Sequence, residues 1–376
     1  MRLTHPGRPT EARIDLDALA ENFHQTKSFV GTDLKYLAVV KADAYGHGAV
    51  ECSKRLETEG IDWFGVALPE EGCELREAGI IRPILCMGSL FPGQEAIIVQ
   101  HDLTPVIFDL DVAASLSRYL GERTHNVHVK VDTGMGRLGF RWPHAREFAR
   151  GLKQFPNLKV TGIMSHFASA DDPDQDAFTS QQIERFGEAV KEFEEEGFAP
   201  EIVDLGNSPG SIRCTDSRRG MVRLGGALFG LLDDILPPGA DRPVLNSVLS
   251  LVSRIAFIKE VPAGAGLGYG QTFHTKRPSQ IALVPIGYAD GYPRGESNSQ
   301  SAIINGRLVP VVGRVSMDWT ILDVTDCENV NKGDDVAFIG RQGAHEIRAS
   351  DLARTIDTIG YEITCGISPR VPRVYV

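Results

Sequence analysis

The sequence predicts an α/β protein that combines an N-terminal (β/α)8 barrel with a C-terminal, mostly β domain. Within about the first 230 residues, eight short apolar runs alternate with charged, amphipathic stretches, and strands that alternate with helices pair in parallel. From Leu245 onward, short strand-like runs dominate instead. The chain has 376 residues, which favours two domains over one and is enough to bury a large core.

The predicted barrel strands are apolar runs rich in β-branched and aromatic residues. In order they are Tyr36–Val40, Trp63–Ala67, Pro83–Met87, Thr104–Phe108, Val127–Val131, Val160–Ser165, Glu201–Leu205 and Val222–Phe229. Asp15 is expected to cap the first helix, and Gln181–Glu195 has the clearest helical pattern. Eight such strands fit a closed barrel. The alternative is a doubly wound open sheet, although no Gly-x-Gly-x-x-Gly follows the first strand.

The sequence changes character near Pro237-Pro238-Gly239, where the C-terminal domain is expected to begin. Its predicted strands are Ser247–Lys259, Gln280–Pro285, Ser301–Ile304, Leu308–Val312, Thr320–Val324 and Val336–Ile339. Asn305-Gly306 predicts a type I′ hairpin, and one helix is expected from Ser350 to just before Gly360. We therefore predict a barrel over residues 12–240 and a β domain over residues 241–376, which residues 1–11 join.

Composition limits the possible classes of function. The chain carries 39 Lys and Arg against 50 Asp and Glu, a net charge of −11, and it has no basic run, which argues against nucleic-acid and polybasic membrane partners. It has no signal-peptide core, no run of eighteen apolar residues, and six scattered cysteines without a Cys-x-x-Cys pair. We expect a cytoplasmic protein with reduced cysteines and no metal site.

Lys41 closes the first predicted strand and is followed by the turn Gly46-His47-Gly48. Burying a charged lysine is costly, so a lysine at the end of a buried strand should face a cavity, a counter-ion or a covalent partner. Desolvation favours the neutral amine, which can form a Schiff base. The alternative is a lysine that simply leaves the sheet into solvent.

Further polar residues follow the C-terminal ends of later strands, where the active sites of (β/α)8 barrels lie. They are Lys130, Arg137, His166, Asn207, Ser208 and Arg223. Ser208 and Gly225-Gly226 come after strands seven and eight, where this fold commonly binds phosphate through free backbone amides. Singly, each residue has a structural alternative: a core histidine, a turn-forming serine or a surface salt bridge. Their joint placement favours a phosphorylated cofactor.

Nearly the whole chain resembles the alanine racemase family, through motifs in both predicted domains. The matching segments are Val40–Gly48, Lys130–Gly139, Gly206–Ser208, Met221–Gly225, Leu267–Gly270, Ile286–Gly291, Gly313–Asp318 and Arg370–Arg373. The first is similar to the family's lysine motif for pyridoxal 5′-phosphate. The resemblance implies a fold type III enzyme that interconverts L-alanine and D-alanine, supplies D-alanine for peptidoglycan and works as a head-to-tail homodimer.

The resemblance also implies roles for single residues. Lys41 would carry the cofactor and exchange protons on one face of the substrate, and the partner subunit's Tyr269 would serve the opposite face. The residues implied to bind the cofactor are Lys41, Tyr45, His166, Ser208, Arg223, Gly225 and Gly226. Those implied to orient or admit the amino-acid substrate are Arg137, Met317 and Tyr288. Lys130 matches a lysine that family members often carry carbamylated.

These roles agree with the chemistry of racemisation. Removing the α-proton needs an electron sink, and inversion needs acid–base groups on opposite faces. A tyrosine with an ordinary pKa of about 10 must be poised by its neighbours, and the resemblance suggests a relay from Tyr269 through His166 to Arg223. An arginine that faces the pyridine nitrogen leaves this nitrogen unprotonated, which disfavours transamination.

One departure from the family pattern bears on specificity. Pro369 stands where family members often have a tyrosine that contacts the phosphate, and a proline offers neither hydroxyl nor amide hydrogen. Phosphate binding would then rely on Tyr45 and Ser208, and access beside Tyr288 would be wider. A racemase of broader specificity, for example towards serine, is one alternative function. A decarboxylase of the same fold and a non-catalytic cofactor carrier are two others, against which Arg223 and the second domain argue.

Overall fold

The computed structural model describes residues 7–88, 90–231, 233, 236–237 and 239–376. These residues form two compact units. The first unit contains the described residues of Leu19–Ala44 and Gly48–Leu245, and the second contains those of Met1–Ala18, Tyr45–His47 and Asn246–Val376. The domain boundaries 12–240 and 241–376 stay a prediction.

The first unit contains a closed barrel of eight parallel strands, which confirms the predicted fold. Strand β1 (Glu11–Ile14) precedes the barrel and belongs to the second unit. The barrel strands are β2 (Lys35–Val39), β3 (Trp63–Val66), β4 (Ile84–Cys86), β5 (Thr104–Ile107), β6 (His125–Asp132), β8 (Leu158–Met164), β9 (Ile202–Asp204) and β10 (Met221–Leu224), and the short β7 (Phe140–Arg141) adds to β6. Neighbours along the chain pair in parallel, and β10 closes the ring on β2.

Helices separate these strands along the chain. They are α1 (Leu16–Val30), α2 (Lys41–Gly46), α3 (Ala49–Thr58), α4 (Pro69–Glu77), α5 (Glu95–Gln100), α6 (Leu110–Leu120), α7 (Ala145–Leu152), α8 (Asp176–Glu195) and α9 (Ser208–Arg213). Asp15 caps α1 as predicted, because its Oδ1 accepts a hydrogen bond from the Ala18 amide (2.8 Å). In α8, Phe186 and Phe193 are fully buried, which accounts for the strong helical pattern there.

The eighth barrel strand is shorter than predicted. The run Val222–Phe229 suggested one strand, but β10 ends at Leu224 and the chain then turns. Within the turn, the Leu228 amide donates to the Gly225 carbonyl (2.9 Å). The apolar residues that follow the strand are buried in the turn itself. The apolar run therefore predicted correctly that these residues are buried, but it did not show where the strand ends.

The second unit is mostly β, as predicted. Its further strands are β11 (Leu249–Arg254), β12 (Phe257–Val261), β13 (Gly266–Leu267), β14 (Phe273–His274), β15 (Ser279–Val284), β16 (Ser301–Ile304), β17 (Arg307–Pro310), β18 (Thr320–Asp323), β19 (Asp335–Gln342), β20 (His345–Ile347) and β21 (Arg373–Tyr375), and its helices are α10 (Ala349–Thr355) and α11 (Gly360–Cys365). The largest sheet has seven strands in the order β17-β16-β19-β11-β1-β21, with β20 beside β19. A second sheet has the order β12-β15-β18, and β13 pairs with β14.

The predicted single strand Ser247–Lys259 is two strands, β11 and β12. Between them the chain passes from one sheet to the other, since the Ile255 amide donates to the Asp334 carbonyl (3.0 Å) and the Ala256 amide to the Leu283 carbonyl (2.9 Å). The strand-like pattern continues through this segment, so it did not show where the chain changes sheet.

Two predictions about turns had different outcomes. Asn305 and Gly306 have positive φ angles of 49° and 72°, as the predicted type I′ hairpin requires. The helix predicted from Ser350 to just before Gly360 ends earlier, at Thr355, and Asp357 beyond it adopts a φ of 58°. The next helix, α11, was not predicted. A left-handed residue cannot continue a right-handed helix, and hydrophobic periodicity does not reveal such a residue.

Within the described residues, no helix is both long and apolar enough to cross a membrane. The same residues contain no group of three or more His, Cys, Asp or Glu side chains that could hold a metal ion. No disulfide links any of the six cysteines, all of which lie in the described part of the chain.

Candidate active site

Lys41 follows the C-terminal end of β2 and begins a turn of left-handed helix. The next four residues, Ala42, Asp43, Ala44 and Tyr45, have φ angles between 52° and 55°. For L residues this conformation costs roughly 1 kcal/mol each, so other groups must hold the turn in place. Because the turn contains no glycine before Gly46, it could not be recognised from the sequence.

Two carboxylates hold the turn. The Glu71 side chain accepts hydrogen bonds from three backbone amides, those of Ala42 (2.7 Å), Ala67 (2.7 Å) and Leu68 (3.0 Å). Asp43 accepts one from the Ala49 amide (2.7 Å). Hydrogen bonds to charged acceptors are among the stronger ones, so they offset part of the backbone cost. Half-buried Lys41 is thereby fixed at the end of β2.

Arg223, in β10, is only 3% exposed and is held by several acceptors. Its Nη1 is ion-paired with the carboxylate of Asp204, the last residue of β9. Its Nη2 donates to the Ser165 carbonyl (2.8 Å) and to Nδ1 of His166 (3.1 Å), and the Leu205 carbonyl is a more distant acceptor at 3.3 Å. Because arginine only donates, Nδ1 of His166 must accept, so this ring is neutral and carries its proton on Nε2. The surface salt bridge considered for Arg223 is therefore excluded.

Positive charge gathers at this end of the barrel. The pKa of His166 is lowered well below its ordinary value, first by burial and then by four cations: Arg223, Lys130, Arg137 and Lys41. Lys130 is 5% exposed, and burial together with Arg223 and Arg137 lowers its pKa to about 8. Lys41, Lys130, Arg137, His166 and Arg223 therefore lie near one another.

Ser208 brings together the loops that follow β9 and β10. Its hydroxyl oxygen accepts a hydrogen bond from the Gly225 amide (2.9 Å), and the Ala227 amide lies 3.5 Å away. Asn207 caps α9 by accepting from the Gly210 amide (3.0 Å). The two predicted phosphate-binding loops, including Gly226, are therefore adjacent.

Arg137 is exposed in the loop after β6. Asp132 orders this loop, because its Oδ1 accepts hydrogen bonds from the amides of Gly134 (2.9 Å) and Gly136 (3.0 Å). The charge of Arg137 still lowers the pKa of buried Lys130. An exposed cation beside a buried cluster is suited to meet an anionic group of a small substrate.

Tyr269 lies in the second unit, on the turn between β13 and β14, and is 73% exposed. Gly268 and Gly270 flank it with φ angles of 69° and 71°, which other residues rarely adopt. A Cβ atom on Gly268 would lie 3.0 Å from the Arg314 backbone nitrogen. The turn is therefore closely packed on a second motif segment, while the tyrosine side chain faces solvent.

Tyr288 and Met317, 42% and 52% exposed, are carried by two segments that lie side by side. The Tyr288 amide donates to the Ser316 carbonyl (3.1 Å), and the Ala289 amide donates to the Met317 carbonyl (3.1 Å). A Cβ atom on Gly287 would lie 2.2 Å from the Ser316 carbonyl oxygen, so only glycine allows this approach.

Tyr45 also belongs to the second unit. Its ring meets the edge of the Tyr361 ring, with centroids 5.4 Å apart and an interplanar angle of 60°. Arg373 anchors the same segment by donating to the Gly46 carbonyl (3.0 Å) and to the Ile367 carbonyl (2.7 Å), close to Pro369. Of the predicted site residues, the barrel thus holds the lysines, arginines, His166 and Ser208, and the second unit holds the tyrosines and Met317.

Three residues of the site were not predicted. Asp204 pairs with Arg223, and Glu71 and Asp43 hold the left-handed turn. Asp204 was visible in the sequence only as an acid at the end of an apolar run, a weak signal for a buried ion pair. Glu71 had no signal, because its partners are backbone amides.

The barrel residues fit pyridoxal phosphate. A lysine stands at a strand end, and a hydroxyl and backbone amides meet in adjacent loops. Three cations, Arg223, Arg137 and Lys41, act on Lys130 against a single anion, Asp204. A phosphate and a substrate carboxylate would balance this charge. Lys41, Ser208 and Arg223 are thus suited to hold such a cofactor.

Comparisons with known proteins agree with this arrangement. The family model for the alanine racemase N-terminal domain matches residues 14–233, and that for the alanine racemase C-terminal domain matches residues 248–375. The alanine racemase of Halothermothrix orenii is 43% identical over 98% of this chain and 97% of its own length. A solved alanine racemase of Clostridium difficile 630 is 35% identical, with a TM-score of 0.92 over 99% of this chain and 97% of that one.

A further solved relative is the alanine racemase of Bartonella henselae with covalently bound pyridoxal phosphate. It is 27% identical, with a TM-score of 0.87 over 99% of this chain and 100% of that one. Both family models together span nearly the full length. The chain belongs to the alanine racemase family.

Proposed function

We propose that this chain binds pyridoxal 5′-phosphate through Lys41 and interconverts L-alanine and D-alanine by a two-base mechanism, as a head-to-tail homodimer. One observation carries the proposal. Arg223 and His166 are connected inside the barrel, whereas Tyr269 is 73% exposed on a closely packed turn of the other unit. A base that is exposed in one chain is available to the site of a second copy.

The cofactor would be held by the barrel and by Tyr45. In this proposal Lys41 provides the covalent link and Arg223 faces the pyridine nitrogen, next to His166. The phosphate is bound by Tyr45, Ser208, Gly225 and Gly226. Bound pyridoxal phosphate supplies the electron sink that acidifies the α-hydrogen of the amino acid. The contact between Ser208 and Gly225 (2.9 Å) and the surrounding positive charge support this placement.

Proton transfer would use groups on opposite faces of the substrate. Lys41 Nζ takes or returns the α-proton on one face, and the partner subunit's Tyr269 acts on the other. A single base would return the proton to the face that it came from, so inversion needs both. Neutral His166 supports the second base, because a proton on Nε2 can be donated to a tyrosine oxygen and stabilise its ionised form.

The substrate carboxylate would be oriented by Arg137 and by the backbone near the partner subunit's Met317, with Tyr288 beside the access path. The pKa of Lys130, about 8, gives this residue a larger neutral fraction at neutral pH than an ordinary lysine has. The neutral amine is the form that adds to carbon dioxide. Carbamylation of Lys130 would replace a cation by an anion able to position Arg137.

The physiological role would be to supply D-alanine for peptidoglycan in the cytoplasm. Six cysteines that form no disulfide within the described residues agree with a reducing compartment. A decarboxylase of the same fold is disfavoured, because Arg223 and Ser316-Met317-Asp318 stand where that family, by resemblance, would have an acidic residue and a cysteine motif.

A racemase of broader specificity is the second candidate function, and Pro369 is the observation that favours it. Proline brings no hydroxyl to the position where a phosphate-contacting tyrosine is expected. A small apolar pocket rejects an added hydroxyl by only about a hundredfold. Measuring kcat/KM for L-serine beside L-alanine, in the wild type and in Pro369→Tyr, decides between the two. A serine rate that Pro369→Tyr suppresses would support broader specificity.

The proposal is tested by incubating the cofactor-loaded protein with each alanine enantiomer in deuterium oxide. Chiral chromatography measures racemisation, and NMR measures exchange of the α-hydrogen. The wild type should racemise alanine and exchange the α-hydrogen of both enantiomers. Tyr269→Phe should stop racemisation but leave exchange of one enantiomer, because Lys41 still serves its own face.

Tyr119→Phe, which changes an exposed tyrosine on α6, is the matched control and should behave as the wild type. Racemisation that survives Tyr269→Phe would contradict the two-base mechanism. Release of carbon dioxide without D-alanine would contradict racemase function altogether.

A further inference from the structure

Asp204 is completely buried at the end of β9 and makes an unusual set of contacts. Its Oδ1 is ion-paired with Nη1 of Arg223. Its Oδ2 has no hydrogen-bond partner within the described part of the chain. A carboxylate that served to stabilise a loop or a helix end would accept from backbone amides, as Glu71 does. The contacts of Asp204 are directed to Arg223 instead.

The guanidinium of Arg223 connects two different groups. Nη1 faces Asp204, and Nη2 faces the Ser165 carbonyl (2.8 Å) and Nδ1 of His166 (3.1 Å). A guanidinium is planar, and its donors have fixed directions relative to one another. An anchor on Nη1 therefore determines where Nη2 points.

Asp204 also compensates charge at this end of the barrel. A buried cation without a counter-ion is costly, and breaking a buried pair leaves the remaining charge unpaired. Among the groups that act on Lys130, the three cations Arg223, Arg137 and Lys41 lower its pKa, and Asp204 alone raises it. Burial raises the pKa of Asp204 itself, and the charge of Arg223 opposes this effect. The two side chains thus depend on each other.

We propose that Asp204 is a positioning residue: it anchors Nη1 of Arg223 so that Nη2 donates to Nδ1 of His166, which keeps the His166 proton on Nε2. The importance of this arrangement for catalysis rests on the proposed racemase function, in which His166 poises the second base. The location of the His166 proton does not depend on that function.

Loss of the anchor has a defined consequence. Without Asp204, the guanidinium can turn towards the neighbouring carbonyls, and Nδ1 of His166 loses its constant donor. A neutral imidazole then distributes its proton over both nitrogens. The support for the second base is weakened, while groups that bind the substrate carboxylate are unchanged. Turnover should therefore fall without a matching change in KM.

The experiment uses the full chain labelled with ¹⁵N-histidine, both loaded with pyridoxal phosphate and without it. The protonated and unprotonated nitrogens of a neutral imidazole have well-separated ¹⁵N shifts, so NMR reports which nitrogen carries the proton. The His166 signals are identified by their loss in His166→Gln. Asp204→Ala removes the anchor, and Asp204→Asn keeps an acceptor oxygen but removes the charge.

Glu95→Gln is the matched control for these variants. Glu95 is also buried in the first unit, and its carboxylate accepts from Ser115 Oγ (2.6 Å) and the Gly93 amide (2.9 Å). Its substitution removes a buried charge from a helix and should leave the His166 signals as in the wild type.

The wild type should show one His166 tautomer with its proton on Nε2. Asp204→Ala should average the two tautomers and lower kcat for L-alanine about tenfold with KM nearly constant. Asp204→Asn should give an intermediate spectrum. An unchanged His166 spectrum in Asp204→Ala overturns the proposal, and if that variant does not fold, an unchanged spectrum in Asp204→Asn does so.

The two hypotheses fail in different ways. If the wild type forms no D-alanine but His166 responds to Asp204, the racemase function is wrong and the role of Asp204 stands. If the wild type racemises alanine and His166 does not respond, only the role of Asp204 is wrong.

Discussion

The two units carry their site residues in opposite ways. In the barrel, Arg223 and Lys130 are 3% and 5% exposed, and Arg223 is held by side-chain hydrogen bonds and an ion pair. In the second unit, Tyr269 and Met317 are 73% and 52% exposed, and the order lies in the backbone beneath them. The buried barrel residues have their interaction partners within their own unit, whereas the side chains of Tyr269 and Met317 are exposed on an ordered backbone.

This difference agrees with the proposed homodimer, in which the second unit completes the site of another chain. Buried ionic groups are pre-organised before a ligand arrives, which suits cofactor binding and electrostatic stabilisation. Exposed aromatic and apolar side chains on closely packed turns are typical of surfaces that become buried on association. We therefore expect barrel substitutions to act within one chain, and substitutions at Tyr269 or Met317 to act on the site of another chain.

The strongest test of this comparison mixes two inactive chains. Lys41→Ala and Tyr269→Phe should each lower racemisation by about 10³-fold or more. In the proposed homodimer, unfolding and refolding the two variants together should make half of the dimers mixed, and each mixed dimer should have one site with both residues intact. About a quarter of wild-type activity should return.

The control mixes Lys41→Ala with a chain that carries both substitutions, where no intact site can form. That mixture should stay inactive. If native mass spectrometry detects mixed Lys41→Ala and Tyr269→Phe dimers but activity does not return, Tyr269 serves its own chain and the comparison breaks down.

The next largest effect is expected from Gly287→Ala, which disturbs the backbone of the second unit. The added Cβ would lie 2.2 Å from the Ser316 carbonyl oxygen and 2.5 Å from that of Met317. The two segments must separate, so kcat/KM should fall about tenfold or more and the unfolding free energy by about 2 kcal/mol. Steady-state kinetics and urea denaturation measure both changes.

Gly187→Ala in α8 is the matched control. The nearest atom to its added Cβ is 3.5 Å away, in the flexible side chain of Arg219. Alanine favours helix over glycine, so stability should rise by up to about 1 kcal/mol without a change in activity. Wild-type kinetics in Gly287→Ala would mean that the position of Met317 is unimportant.

A smaller effect is expected from Glu71→Ala, which acts on the barrel. Three backbone amides lose their acceptor, and the left-handed turn after Lys41 loses a support. Unsatisfied amides cost roughly 1–3 kcal/mol, so the Kd for pyridoxal phosphate should rise about tenfold or more. Absorbance titration of the cofactor-free protein measures this affinity. Glu77→Ala changes an exposed residue on the same helix and should leave the Kd for pyridoxal phosphate unchanged. Equal Kd values in the two variants would show that Glu71 does not support cofactor binding.

Periodicity predicted the barrel because each of its strands is short, buried and followed by an amphipathic helix. It failed where burial continues through a change of backbone direction. The run Val222–Phe229 stays buried after β10 ends, and Ser247–Lys259 crosses between two sheets. A hydrophobic pattern predicts which residues are buried. It does not predict the direction of the backbone, because this direction depends on hydrogen bonds to segments that are distant in the sequence.

Site residues could be predicted from the sequence where their role follows from their position at the end of a strand. Lys41 and Ser208 could be placed at strand ends from the sequence. Tyr269 was predicted as a site residue only through the family resemblance, since an exposed tyrosine between glycines has no distinctive pattern. Asp204 and Glu71 were missed, because their partners come from other strands or from backbone amides.

The two units also differ in whether a buried carboxylate is paired with a cation. Asp204 is paired with Arg223, whereas Glu296 in the second unit is fully buried and neither of its oxygens has a hydrogen-bond partner within the described residues. The Thr355 hydroxyl is nearby but donates to the Asp351 carbonyl (3.2 Å). Burial raises the pKa of Glu296 to about 7.

The stability of the second unit should therefore depend on pH through Glu296. With a folded-state pKa of about 7 against an ordinary 4.5, the folded chain holds this proton more tightly than the unfolded chain does. The contribution of this tightly held proton to the unfolding free energy is complete below pH 4.5 and is lost as the pH rises through 7. Glu296→Gln should raise the unfolding free energy by about 1–2 kcal/mol at alkaline pH and change it little at acidic pH. Urea denaturation at both pH values measures this difference, with exposed Glu328→Gln as control. A gain of equal size at both pH values would show that side-chain shape, and not charge, is the cause.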